Sequence, residues 1–318
     1  MKEIGGYFSF ELPNYTNFPH PEGILLNSGR NALEYILRTI QDLQKIYIPY
    51  FTCDVVLEPL KKLNVPYEFY RIDENLEIHD DFTLLPGEYI LLTNYFGIKD
   101  QYIKQTSMKC GASLIVDNAQ ALYAHPLQES PTFYSPRKFC GLPDGGVVYV
   151  KRELDEQLQS DISYDRCSHL LRRIDSGASA GYSDFKENSR KLSGMDIMKM
   201  SDLTRVMVNS IDFDAVKSAR RSNFDLLREA LDQTNLLKIP SSDSFECPMV
   251  YPYWSADPDL KGRLIASKVF VATYWPNVKG WCEQGQLESL LAQNIVPIPI
   301  DQRYDSEDMK AILKIILS

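Results

Sequence analysis

The spacing of apolar positions switches between two periods along the chain, and the switches mark out alternating strands and helices. Over residues 30–44 (RNALEYILRTIQDLQ), Leu33, Ile36, Leu37 and Ile40 recur at the three- and four-residue intervals of an amphipathic helix. KIYIPYF (45–51) then reads as a strand and DVVLEPLKKL (54–63) as a second helix. Further strands are expected at 66–72, 89–93 (YILLT), 113–117 (SLIVD) and 145–150 (GGVVYV). Strands separated by helices predict βαβ units: an α/β chain with a mainly parallel sheet covered by helices on both faces.

The flanking segments read differently. Residues 1–22 hold aromatics, Gly5-Gly6 and three prolines, the composition of an extended arm. Residues 152–200 are polar and rich in Arg, Ser and Gly, which predicts helix and mobile loop serving as a lid. A long helix over about 201–233 leads to strands around 248–254 and 269–274 and a last helix at 305–317. The expected organisation is an arm (1–22), a large domain (23–210) and a smaller C-terminal α/β domain (211–318).

Composition narrows the function classes. The chain has 318 residues, enough to bury a core without metals or disulfides. A net charge of −9 argues against broad binding to nucleic acid or to an anionic membrane, but leaves room for a local basic pocket. The six cysteines are scattered without a CxxC pair, and Cys167 with His169 lacks a second ligand pair, so no metal site is expected. No signal-like start and no long apolar run appears, so a cytoplasmic protein with free thiols is expected. There is no GxGxxG after the first strand, no GxxxxGK[ST] and no GxSxG, which disfavours nucleotide-dependent and serine-hydrolase readings.

Three segments carry chemistry together. Ser28, Gly29, Arg30 and Asn31 precede a helix, whose N-terminus receives phosphate well. Gly29 lets the backbone approach an anion, and Ser28 either caps the helix or donates its hydroxyl. Asp117 ends an apolar strand, where α/β sheets place their ligands, although for an isolated Asp a helix cap is the simpler reading. Lys138 stands in FYSPRKF ahead of Gly141 and Gly145-Gly146; between aromatics, a lysine loses solvent and its free amine is favoured. An amine for an aldehyde, an anion for a ring nitrogen and a helix terminus for a phosphate are what pyridoxal phosphate requires.

The motifs GGYF, NSGRNAL, IPYFTC, TNYFG, VDNAQA, SPRKF…DGG, MSDLT, RRSNF, WPN and PIPIDQRY run nearly end to end. In them the chain resembles the DegT/StrS family of pyridoxal-phosphate-dependent sugar aminotransferases. That resemblance implies the fold-type-I architecture and a homodimer. It implies transfer of an amino group, with glutamate the habitual donor, to a keto-sugar that is often nucleotide-linked. By position, Lys138 resembles the lysine that holds the cofactor and shuttles the proton, and Asp117 the partner of the ring nitrogen. Gln120 matches a ring or hydroxyl contact, Asn94 a polar group near the ring oxygen, and Gly29, Arg30 and Asn31 the phosphate loop. Relatives that dehydrate keto-sugars carry histidine in place of the lysine, so Lys138 implies transamination.

The chain departs from the family pattern in places. Cys53 stands where an aromatic usually stacks on the ring, and Phe133 where a phosphate-binding Ser is common, leaving Ser135 as the expected contact. The Asn that reaches across the dimer is missing from Ile197-Met198-Lys199-Met200-Ser201. Arg or Lys residues of 166–191 are candidates to replace it, and Arg303 is a further substrate candidate weighed against a surface salt bridge. These departures motivate an alternative: a cofactor-binding protein of the same scaffold without turnover.

Overall fold

The computed structural model describes residues 4–318; the first three residues of the expected arm lie outside them. The chain runs β1 (Ile24–Leu26), α1 (Gly29–Thr39), β2 (Lys45–Pro49), α2 (Leu57–Lys62), β3 (Tyr67–Tyr70), β4 (Glu88–Thr93) and α3 (Asp100–Cys110). β5 (Leu114–Asn118), β6 (Thr132–Tyr134) and β7 (Gly146–Tyr149) complete one sheet. Then come α4 (Ser168–Ser176), α5 (Ala178–Lys191), α6 (Asp202–Asn209) and α7 (Phe213–Leu231). The chain ends with β8 (Tyr251–Trp254), α8 (Leu260–Ala266), α9 (Val278–Trp281), α10 (Leu287–Asn294), β9 (Ile295–Ile298) and α11 (Ser306–Leu317).

The larger sheet has seven strands in the order β1-β7-β6-β5-β4-β2-β3. β3, β2, β4, β5 and β6 are parallel, while β7 is antiparallel to both β6 and β1. β1 therefore points the same way as the parallel block. The carboxyl ends of β1, β2, β4, β5 and β6 all meet one edge, where open α/β sheets bind ligands. The residues that follow them are Asn27–Arg30, Tyr50–Cys53, Asn94, Ala119–Gln120 and Ser135–Lys138.

Apolar side chains divide between the two sheet faces. α1 lays Leu33, Ile36 and Leu37 against Ile46, Ile48, Leu91, Ile115, Phe133 and Val148. A second and larger cluster joins Phe51, Tyr95 and Phe96 to Phe213, Phe224, Tyr251, Trp275 and Ile298. The C-terminal part is thus welded to the first by one continuous core. A buried side chain of this kind contributes about 1.5–3 kcal/mol. In that region His20 is fully enclosed; burial holds its imidazole down at about 4, and Nε2 meets Leu122 O at 2.5 Å.

Several expectations need correction. Helix α1 stops at Thr39, because Ile40 turns extended and the chain bends into β2. The 201–233 helix is two helices: Asp212 leaves helical geometry and its side chain accepts from Ala215 N (3.1 Å), starting α7 afresh. Within residues 152–200 the helical part of the expectation is the α4–α5 pair, joined at Gly177 (φ +84°) and packed where Gly181 meets His169 O. The expected strand at 269–274 does not form. Left-handed Lys268 and Trp275 bracket that stretch, and β8 pairs instead with β9. β1 and β6, three residues each, carry too short a pattern to be read in advance.

Candidate active site

Asp117 is the penultimate residue of β5, in register with Thr93 of β4 and Phe133 of β6. Its Oδ1 accepts from Ala119 N at 2.8 Å. Its Oδ2 takes no hydrogen bond among the described residues. Burial pushes the carboxyl above the usual range, and the Lys138 ammonium and the Ala119 N–H pull it back. A buried carboxylate with one free oxygen awaits a cationic donor, since an unpaired buried charge is costly.

Lys138 closes a short 3-10 turn, Pro136–Lys138, directly after β6. Its charge also reaches Cys53, whose thiol burial drives up and Lys138 draws down. Lys138, Asp117 and Cys53 are therefore gathered across three loops of one sheet edge. The solvent loss expected from the flanking aromatics is not met within the chain: Phe139 is buried, whereas Lys138 is exposed. The turn sends the two side chains in different directions. What holds the turn is backbone bonding at the lysine and the next residue: Lys138 N donates to Ser135 O at 3.1 Å. Phe139 O accepts from Arg220 Nη2 at 3.0 Å and from Gln302 Nε2 at 3.1 Å. Arg220, on α7, is 2% exposed, lies over the Phe139 ring and also donates to Met249 O at 2.8 Å.

The α1 start is built from close contacts. Ser28 caps the helix, accepting from Asn31 N at 3.1 Å and donating to Asn31 Oδ1 at 2.5 Å, while Asn31 Nδ2 donates to Met195 O. Ser28 and Asn31 are thus spent on the cap. Gly146 explains the paired glycines: a Cβ there would lie 2.3 Å from Ser28 O. Gly29 faces Ser135, whose Cβ would stand 3.4 Å from a Gly29 Cβ. The Ser135 hydroxyl makes no hydrogen bond among the described residues and remains available.

The remaining expected residues divide. Gln120 accepts from Phe96 N at 2.8 Å and leaves its amide nitrogen unbonded among the described residues. Asn94 is committed to scaffolding, donating to Asp100 Oδ1 (2.6 Å) and Asn118 Oδ1 (3.0 Å) and accepting from Lys99 N. Cys53 supplies no stacking ring. Its loop is tied down by Asn277 of the WPN motif, which donates to Thr52 O at 2.9 Å. Arg303 is held by Asp301 at 2.6 and 2.8 Å, the salt-bridge alternative. Within 166–191, Arg166 is buried between Asp144 and Asp161, and Arg172, Arg190 and Lys191 pair with Asp184, Glu187 and Asp165. Sequence reasoning missed Arg220 and Gln302. The signal for Arg220 was its place in the buried stripe Phe213, Val216, Arg220, Phe224, Leu227, where an apolar residue belongs.

These residues fit pyridoxal phosphate: an unpartnered carboxylate oxygen, an exposed amine nearby, and a side-chain-free helix start against a free hydroxyl. A cleft of about 590 Å³ lies beside α1 between Glu34, Arg38, Lys62 and Glu156, and none of the site residues lines it. Its charges are already paired with one another, so the chemistry of the donor set, not cleft size, locates the site. Among the described residues no helix is long and apolar enough to cross a membrane, and no cluster of potential metal ligands occurs.

No protein-family model matches the chain, and no curated protein is significantly similar to it. Solved structures are similar over nearly its whole length. DesV of S. venezuelae, in complex with a ketimine intermediate, superposes with TM-score 0.63 at 14% identity, over 92% of this chain and 83% of its own. The sugar aminotransferase CalS13 from Micromonospora echinospora gives 0.61 at 15%, over 93% and 87%. A DegT DnrJ EryC1 StrS aminotransferase from Brucella abortus gives 0.59 at 15%, over 93% and 85%. At these identities the likeness establishes architecture, and the chain has the fold of the DegT/DnrJ/EryC1/StrS aminotransferases.

Proposed function

We propose that this chain is a pyridoxal-phosphate-dependent sugar aminotransferase, a divergent member of the DegT/StrS family. It takes an amino group from a donor, glutamate by family habit, and passes it to a keto-sugar, a nucleotide-linked one being the family precedent. The observation that carries the reading is Asp117: a buried carboxylate with one unpartnered oxygen, under the field of Lys138. When bound, the cofactor supplies an aldehyde to capture the amine and a ring to accept electrons. Asp117 Oδ2 would hold the cofactor's ring nitrogen in its charged form, and a cation there would relieve the cost of burying the carboxylate. Lys138 Nζ would be the amine that holds the cofactor's aldehyde, with loss of water, and the group that carries the proton to and from the substrate carbon. Arg220 and Gln302 fix the Phe139 carbonyl and so aim the lysine.

The reading includes a homodimer in the cytoplasm. Tyr7, Phe8 and Ile174 are more than four-fifths exposed and offer apolar surface for a second copy to cover.

Half-reaction spectroscopy tests the assignment. Adding glutamate to the loaded protein should bleach its visible absorption and release 2-oxoglutarate in a stoichiometric burst, before any sugar is present. Colour that persists with every amino donor identifies the binder without turnover.

A further inference from the structure

We infer that Asp100 is a positioning residue: acting through Asn94, it fixes the backbone at Asp117 and so aims the free carboxylate oxygen at the cofactor's ring nitrogen. The inference rests on the cofactor reading and deepens it.

The link begins at the end of β4. Asn94 N donates to Asp117 O at 2.9 Å, one step past the last β4–β5 pair. Asn94 Nδ2 donates to Asn118 Oδ1 at 3.0 Å, on the residue after Asp117. Asn94 thus grips two consecutive residues of β5 and sets the peptide between them. Asp117 Oδ1 is already taken by Ala119 N, so the direction of Oδ2 follows that backbone.

Asn94 is set in turn by Asp100. Its Oδ1 accepts from Lys99 N at 3.0 Å, which fixes the amide's sense and leaves both Nδ2 protons to donate. One goes to Asn118 and the other to Asp100 Oδ1, at 2.6 Å. Asp100 is the first residue of α3, where an acid ordinarily complements the helix dipole. Here its bonds lead elsewhere: Oδ2 accepts from Glu246 N at 2.8 Å. Two N–H donors, and no ion pair among the described residues, suit an ionised carboxylate held by hydrogen bonds alone. Burial pushes the Asp100 carboxyl up, and the Asn94 and Glu246 N–H groups pull it back; the Glu246 charge adds to the rise and His125 opposes it. A charge-assisted bond outweighs an amide–amide one, so Asp100, not Asn118, decides the Asn94 rotamer. The same carboxylate ties in the 246–249 segment, where Met249 N donates to Phe96 O and Met249 O accepts from Arg220. Arg220 also holds Phe139 O, so Asp117 and the Lys138 turn share one support.

Calorimetric titration of cofactor-free protein tests this with pyridoxamine phosphate and its 1-deaza analogue, which has carbon in place of the ring nitrogen. Neither ligand uses the covalent link to Lys138. Wild type should favour the nitrogen-bearing ligand through Asp117. In Asp100→Ala that preference should shrink about tenfold, with affinity for the deaza analogue unchanged. Asp100→Asn, which keeps one acceptor for Asn94, should lose less, and it carries the test if circular dichroism finds the alanine variant unfolded. Asn94→Ala should lose as much as Asp100→Ala, and the double variant no more than either, because the two act in one line. A preference unchanged in both Asp100 variants overturns the proposal while the cofactor reading stands. Equal loss for both ligands, the mark of a merely structural role, also overturns it, as do additive losses in the double variant. Wild type that binds the two ligands equally, or binds neither, removes the Asp117 assignment and the proposal with it.

Discussion

Lys138→Ala protein stays folded but no longer retains pyridoxal phosphate through a covalent link, and its amino-transfer rate falls by at least about 10²–10⁴-fold. The expectation follows from where the residue stands. Lys138 is exposed at the end of its turn, so removing its side chain opens no cavity and breaks no buried bond. Its backbone position is held by Phe139 O, which the substitution leaves in place with both donors. The effect therefore falls on chemistry and not on stability. Comparing melting temperature with single-turnover rate separates the two. A rate within tenfold of wild type would remove Lys138 from the mechanism, and a large drop in melting temperature would make it a structural residue.

Arg166→Ala should be the most destabilising single change outside the site, costing about 3–5 kcal/mol. Arg166 bridges Asp144 and Asp161, and all three are buried. Without it two buried carboxylates are left with no paired cation. Asp144 begins the turn that delivers Gly146 against Ser28, so the damage should spread to the α1 start and weaken cofactor binding as well. The deficit should depend on pH. Burial already raises the Asp144 pKa although Arg166 opposes it. Between the unfolded value for Asp, about 3.9, and that raised folded value, the folded chain binds the proton more tightly. Stability lost at this site above the window returns as pH falls through it. Removing Arg166 moves the window upward, so the variant's deficit should narrow as pH drops from about 7 toward 5. Urea midpoints across that range test this. A deficit below about 1 kcal/mol, or one that grows on acidification, contradicts it.

Much of this arrangement is legible in the residues. Helix α1 and strands β2, β4, β5 and β7 announce themselves because each buries a regular face, and their ends locate Asp117 and Lys138. Tertiary choices are less visible. Val271 is buried and Phe270 exposed in an alternation that suits a strand, yet β8 finds its partner in β9, more than forty residues downstream. The break before α7 was readable in Asp212, a residue that favours helix starts, but the long apolar period masked it. In the candidate site, motif position singled out Asp117, Lys138 and the α1 start, which the fold brings to one sheet edge. It could not tell that Asn94, Ser28 and Asn31 spend their hydrogen bonds on the scaffold, or that Arg220 and Gln302 converge on one carbonyl. Those facts depend on loops far apart in sequence.

Reduction of the purified, cofactor-loaded protein with borohydride, followed by peptide mapping, tests the central claim most directly. The account predicts one reduced adduct, carried by Lys138. An adduct on any other lysine, or a protein that takes up no pyridoxal phosphate at all, would contradict it.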